Sequence, residues 1–163
     1  MSKTVKQGLL IAALVILLDQ ISKIWLMDYL GVAGPDQRAA GFPVTGFFDI
    51  VGVWNKGVSF SLFSNHDGSG AWILSLVALV ITGAMLVWLW RAQGLRLALG
   101  LGMVIGGALG NVIDRVRFGA VFDFLFFYYQ QYSWPAFNIA DTGISVGVGL
   151  LLIDSLLDSR RKG

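Results

Sequence analysis

Asp123, in Val121-Phe122-Asp123-Phe124, and Asp141, in Phe137-Asn138-Ile139-Ala140-Asp141, occupy the most apolar surroundings in the chain. A carboxylate beside hydrocarbon is costly, so an acid kept there has a task or a partner. Neither has a basic partner at helical spacing. Facing each other, the two would form a carboxylate pair able to share one proton, which is the chemistry of acid–base peptide hydrolysis. Asn138 and Asp141 have the spacing of a helix capping box, with Asp in place of the usual Glu or Gln, so one reading of Asp141 is a cap and nothing more. The same placement sets the positive end of a helix dipole against Asp141 and favours its ionised form, whereas Asp123, among Phe and Val, should resist ionisation. One low and one high pKa is the division that acid–base catalysis requires, with the two protons belonging to the coupled pair.

Competing chemistries have little to work with. The chain has no cysteine, one histidine (His66) and no glutamate; its ten acids are all aspartates. Thiol nucleophiles and thiolate metal sites are excluded, and a zinc hydrolase with its usual histidine ligands is not expected. A Ser-His-Asp triad would need His66, which sits in the turn-like Ser64-Asn65-His66-Asp67-Gly68. Lys56 and Ser59, three apart in a loop, are a weak basis for a Ser/Lys protease. Asp141-Thr142-Gly143 repeats the triplet of pepsin-like proteases, but there it belongs to a soluble β-rich fold and here an apolar helix follows it.

The elements that must position the two acids are set by lipid. Of 163 residues 56% are hydrophobic and 13% charged, with a mean hydropathy of +0.71, against about 25% charged in soluble domains. The net charge of +2 is too small and dispersed to argue for nucleic acid. Four apolar spans, 8–27, 71–90, 97–113 and 137–157, each approach the ~20 residues a bilayer crossing needs. The fold class expected is an all-α integral membrane protein, one membrane-embedded domain over 1–163. The first span could be mistaken for a secretion signal, but no small-x-small cleavage site follows and the helical pattern continues, so it reads as a retained helix. Lys3, Lys6, Arg91, Arg96, Arg160, Arg161 and Lys162 fall on one side, and Arg38, Lys56, Arg115 and Arg117 on the other. That bias places both termini in the cytoplasm and turns 28–70 and 114–136 outward. Within the first outward segment, Phe42 to Asn55 reads as short strands or a hairpin lying on the membrane. Within the second, eight aromatics between Phe122 and Trp134 suggest an interfacial helix or loop half-sunk in the headgroups.

Inside these elements, Gly102-x-x-x-Gly106, Gly106-x-x-x-Gly110 and Gly143-x-x-x-Gly147 let helices approach closely in lipid. Asp19 and Lys23, four apart on the first helix, can pair and turn inward as support for a polar site. Asn55 and Asn111 put amides near the outer boundary, suited to fixing a substrate backbone. Asn111 and Asp114-Arg115 read equally as part of that site or as a polar helix end with an interfacial ion pair. Asp154 and Asp158 read as surface charges beside the basic tail.

Five blocks, taken in order, resemble the bacterial lipoprotein signal peptidases, or type II signal peptidases: Asp19-Gln20-x-x-Lys23, Asn55-x-Gly57-x-x-Phe60, Gly106-Gly107-x-x-Gly110-Asn111-x-x-Asp114-Arg115, Val121-x-Asp123-Phe124 and Phe137-Asn138-x-Ala140-Asp141. Each block alone is weak; five in this order, across essentially the whole chain, are specific. The resemblance implies an aspartyl endopeptidase of the bacterial cytoplasmic (inner) membrane, with its active site near the outer face. It implies cleavage of diacylglyceryl-modified prolipoproteins just before the lipidated cysteine, no metal or organic cofactor, membrane lipids as surroundings and inhibition by globomycin. By position it makes Asp123 and Asp141 the catalytic pair and Asn55, Gly107, Asn111, Asp114, Arg115, Asn138 and Ala140 lining or supporting residues, with Asp19 and Lys23 matching the block on the first helix. The rival expectations are a small four-helix ion-coupled transporter or channel, which would want acids near the midplane and repeat symmetry, and a non-catalytic assembly protein.

Overall fold

Along helix α1 (Lys3–Tyr29) the buried positions are Val5, Gly8, Ala12, Val15, Asp19, Lys23 and Leu26, three or four apart. Such spacing draws a single stripe, but here the stripe is small or polar as far as Lys23 and gains a large apolar side chain only at Leu26, while Leu10, Leu17, Leu18, Ile21, Ile24 and Trp25 are exposed. A helix with its largest apolar side chains outside and its polar ones inside is made for hydrocarbon, where close packing and internal polar contacts hold helices together. The computed structural model describes residues 1–37, 39–57 and 69–162. Arg38, Ser59, Phe60 and His66, named above, lie outside the described residues, as do the side chains of Arg160, Arg161 and Lys162.

Three further helices follow: α2 (Ser69–Trp90), α3 (Leu95–Phe118) and α4 (Ile139–Lys162). All four are long and apolar enough to cross a membrane, as the composition led one to expect. Helix α3 is the central one, packed against α1, α2 and α4. Its glycines carry that packing: a Cβ at Gly102 would overlap the backbone of Gly8, and one at Gly106 would meet the carbonyl and Cα of Ala12. Gly102→Ala is therefore expected to push α1 from α3 and destabilise the protein by about 1–3 kcal/mol, the usual range for overpacking. Thermal unfolding in detergent checks this; an unchanged Tm would mean that the two helices can separate freely.

Helix α3 outruns the expected span. It passes 113 and ends at Phe118, where Gly119, at φ 72°, turns its N–H back to the Arg115 carbonyl at 2.9 Å. Asp114 and Arg115 thus lie within the helix rather than beyond its end, because Asp114 finds a cation inside the bundle.

Among the described residues, four short antiparallel strands form a further layer: β1 (Ala39–Thr45), β2 (Phe48–Asn55), β3 (Val121–Tyr129) and β4 (Tyr132–Ser133), in that order. The hairpin expected between Phe42 and Asn55 is the β1–β2 pair. The aromatic segment is a correction: it is strand β3 with its β4 return, not a helix or loop. Val121-Phe122-Asp123-Phe124-Leu125 is β-branched and aromatic, side chains that favour a pleated surface, and the edge of β2 supplies its partner. Alternation along β3 then sends Phe122 and Phe124 into a cluster with Leu26 and Val32 and leaves Asp123 on the opposite face.

Candidate active site

Asp123 is brought to Asp141 by a clamp between β3 and the chain entering α4. The N–H groups of Phe124 and Leu125 both donate to the Phe137 carbonyl, at 3.0 and 2.8 Å, and the Phe137 N–H returns to the Leu125 carbonyl at 3.0 Å. Asn138, the next residue, opens α4. Its Oδ1 accepts from the Asp141 N–H at 2.9 Å, and its N–H donates to Asp141 Oδ2 at 3.3 Å, the reciprocal box read from their spacing. Yet Asp141 does more than cap. Asn138 Nδ2 donates to Asp123 Oδ1 at 2.7 Å, so one buried asparagine holds both aspartates.

Each carboxylate has a second amide. Asn55, at the end of β2, donates through Nδ2 to Asp123 Oδ2 at 3.1 Å; its Oδ1 accepts from Gly57 N–H at 2.9 Å. The β2–β3 register, with Val53 opposite Asp123 and Asn55 opposite Val121, puts this side chain within reach. Asn111 Nδ2 donates to Asp141 Oδ1 at 2.7 Å. The two amides expected to face a substrate backbone are thus turned toward the carboxylates.

Asp123 is 2% exposed. Burial first, and then the charge of Asp141, push its carboxyl up to about 7, against the opposing hydrogen bonds from Asn55 and Asn138 and the charge of Lys23. A carboxyl held near neutrality next to a second carboxylate can serve as a proton donor at physiological pH.

Behind the pair lies a second polar layer. Lys23 Nζ stands 2.8 Å from Asp19 Oδ2 and 2.8 Å from Asp114 Oδ2, all three side chains being buried. Pairing of Asp19 with Lys23 was legible at their spacing; Asp114 joining them was not, and it takes the place of the Asp114–Arg115 pair. Arg115 instead donates through Nη1 to the Asn111 carbonyl at 3.4 Å. Gln20, to which the sequence assigned no role, donates through Nε2 to Asp114 Oδ1 at 2.9 Å, to Asp19 Oδ2 at 3.1 Å and to the Gly110 carbonyl at 3.3 Å. An amide at lipid depth, next to an acid, was the available signal. Gly107 and Ala140 act by packing: a Cβ at Gly107 would run into the Ala140 carbonyl, so the bare backbone lets the start of α4 lie against α3. Asp154 meets Arg96 at 3.5 Å, well along α4 from the pair. Among the described residues, no three His, Cys, Asp or Glu side chains group as a metal site.

Known proteins share this arrangement of elements. A family model described as "Signal peptidase (SPase) II" matches residues 11–157. A lipoprotein signal peptidase of Methylorubrum extorquens (strain PA1) is 43% identical over 159 residues, covering 96% of this chain and 89% of that protein. That of Cupriavidus necator is 45% identical over 152 residues, 92% of this chain and 83% of the relative. Among solved structures, a bacterial membrane enzyme determined by the in meso method at 2.3 Å resolution superposes with a TM-score of 0.78 at 28% identity, over 96% of this chain and 91% of that one.

Proposed function

The chain belongs to the signal peptidase II family, aspartic-type proteases of the bacterial inner membrane, and from that premise we propose that Asp123 and Asp141 are its catalytic pair. Removal of signal peptides from prolipoproteins is the activity that its relatives carry in their name and that this chain performs. Family membership sets aside the transporter and the assembly protein. The observation that carries the catalytic assignment is Asn138, one buried residue whose side-chain amide donates to Asp123 and whose backbone N–H donates to Asp141, while Asp123 is driven to about 7.

In the proposed reaction Asp141, held by Asn111 Nδ2 from α3 and by the Asn138 N–H at the start of α4, takes a proton from water as the water oxygen adds to the scissile carbonyl carbon. Protonated Asp123 donates to the carbonyl oxygen and stabilises the tetrahedral adduct. On collapse the C–N bond breaks and the leaving nitrogen receives a proton from the pair, giving a carboxyl end on the signal peptide and a free amine on the lipidated cysteine. No metal or organic cofactor takes part in these steps.

We place both termini in the cytoplasm and the pair near the outer face. Support comes from the Lys and Arg distribution and from the gathering of the α1 end, the α4 start and the sheet in one cluster, where Leu26, Ile139, Ile50 and Phe122 pack together. Exposed Phe47, Tyr129, Tyr132 and Trp134 at the far end of the sheet, lining a shallow hollow of about 400 Å³, suit contact with headgroups and with the diacylglyceryl moiety of the substrate. The chain works as a single membrane-embedded unit.

The test is incubation of the purified protein with a diacylglyceryl-modified precursor and its unlipidated twin, with and without globomycin. Cleavage of the lipidated form alone, just before the modified cysteine and blocked by globomycin, is expected. Equal cleavage of both forms would remove the lipid from recognition, and cleavage of neither would overturn the reading.

A further inference from the structure

We propose that Lys23 is a positioning residue that sets the separation of the catalytic pair through the backbone, an inference that rests on the assignment of Asp123 and Asp141 above. The ammonium touches neither aspartate of that pair at ion-pair distance. It touches the two carboxylates that hold their chains. Asp114, from α3, accepts from the Phe122 N–H at 3.1 Å, and Asp19, from α1, accepts from the Ala140 N–H at 2.9 Å. Phe122 immediately precedes Asp123 and Ala140 immediately precedes Asp141. A continuous line of short contacts therefore runs from one catalytic residue's neighbour to the other's, with Nζ at its middle, 2.8 Å from each carboxylate.

Lys23 has a third contact with the same consequence. Nζ lies 3.4 Å from Asn111 Oδ1. An amide whose oxygen faces a cation must turn its NH2 the other way, and Asn111 Nδ2 points to Asp141 Oδ1 at 2.7 Å. Asn138 Nδ2 donates to the same oxygen at 3.3 Å, so the ammonium and this amide together keep the Asn111 NH2 turned to Asp141.

A purely structural ion pair needs one acid. Two acids on one buried lysine bury one polar group more than pairing requires, a cost that well-packed hydrophobic residues of similar volume would not carry. What the second acid adds is the second tether: the pair is held from α1 and from α3 at once, on the two elements, α4 and β3, that carry it, in addition to the backbone clamp at Phe137. Burial of Asp19, Lys23 and Asp114, none more than 2% exposed, keeps water from loosening the line.

The experiment is steady-state kinetics of the purified full chain on a diacylglyceryl-modified precursor, comparing Lys23→Met, Lys23→Arg and, as a control, Asp123→Asn. Lys23→Met is expected to lower kcat about 100-fold with KM held within about twofold, since misplacement of reacting groups by an ångström costs that much in rate without touching the binding surface. Lys23→Arg should recover most of the loss, because a guanidinium still bridges two carboxylates. Should Lys23→Met not fold, Asp19→Asn, isosteric and neutral, is the variant to read, with kcat down about tenfold at unchanged KM. A kcat within about threefold of the parent in either folded variant, a KM that rises while kcat holds, or equal kcat in the Met and Arg variants overturns the proposal. Full turnover by Asp123→Asn would overturn the catalytic assignment and this inference with it; an inactive Asp123→Asn beside a parent-like Lys23→Met overturns the positioning role alone.

Discussion

Asp123→Asn or Asp141→Asn is expected to lower cleavage of a lipidated precursor by about a thousandfold or more while the protein stays folded and inserted, since proton transfer by a positioned group supplies rate factors of about 10²–10⁴. Asn has the shape of Asp and keeps one oxygen for Asn138 or Asn111 to donate to; the second donor on each carboxylate loses its acceptor, a cost of about 1–3 kcal/mol that leaves the rest of the frame in place. What it lacks is a group that gives up or takes on a proton near neutral pH. At position 141 there is no longer a base for water; at position 123 there is no acid for the carbonyl. Because the two act as one unit, the double variant should be no slower than either single one. Turnover of purified variants, with circular dichroism to confirm folding, decides the matter. Substantial cleavage by either single variant would sink the pair.

How much of this was readable beforehand depends on the distance over which each feature is decided. The four spans were legible because hydrocarbon selects for long apolar runs, and the Asn138–Asp141 box because its partners lie within one helical turn. The end of α3 was not, since Asp114 looks like an interfacial charge until Lys23 of α1 is seen beside it. Strand β3 was missed for a related reason. Aromatic richness marks both a membrane belt and a pleated strand, and the choice is made by β2, far back in the chain, whose edge pairs with Val121 through Phe127. That same pairing delivers Asn55 to Asp123, so the role of Asn55 as a holder of the carboxylate, instead of a contact for substrate, was hidden with it. Side-chain chemistry pointed to the right residues; which of them touch was tertiary information.

The division between the outer pair and the inner lysine layer has a further physical consequence. Asp19, Lys23 and Asp114 neutralise most of one another and fix geometry. Asp123 and Asp141 have no cation at contact distance among the described residues. They are instead held by amides, which orient a carboxylate without supplying a full charge to keep it ionised. A lysine directly on Asp123 would hold it ionised and remove the acid. Keeping the cation one layer back preserves the proton while still locking the frame.

That proton makes activity and stability depend on pH in the same direction. With the Asp123 carboxyl at about 7, the acid is lost as pH rises through neutrality, and kcat should fall about tenfold per pH unit on the alkaline side. Stability moves with it. The Asp123 carboxyl goes from 3.8, its ordinary value, to about 7 in the folded protein, so the folded state binds this proton more tightly than the unfolded chain does. The stabilising contribution is fully present at low pH, is withdrawn between 3.8 and about 7, and is absent above. From pH 5 to pH 9 the loss from this group is about 3 kcal/mol at most. In Asp123→Asn that slope disappears, because the side chain no longer titrates. Thermal unfolding of parent and variant in the same detergent from pH 5 to pH 9 reads the difference: the parent should lose Tm relative to the variant as pH rises, most steeply below neutrality and hardly at all once the carboxyl is ionised. A constant gap across the range would mean that Asp123 is ionised throughout, and the acid would then have to be sought in Asp141.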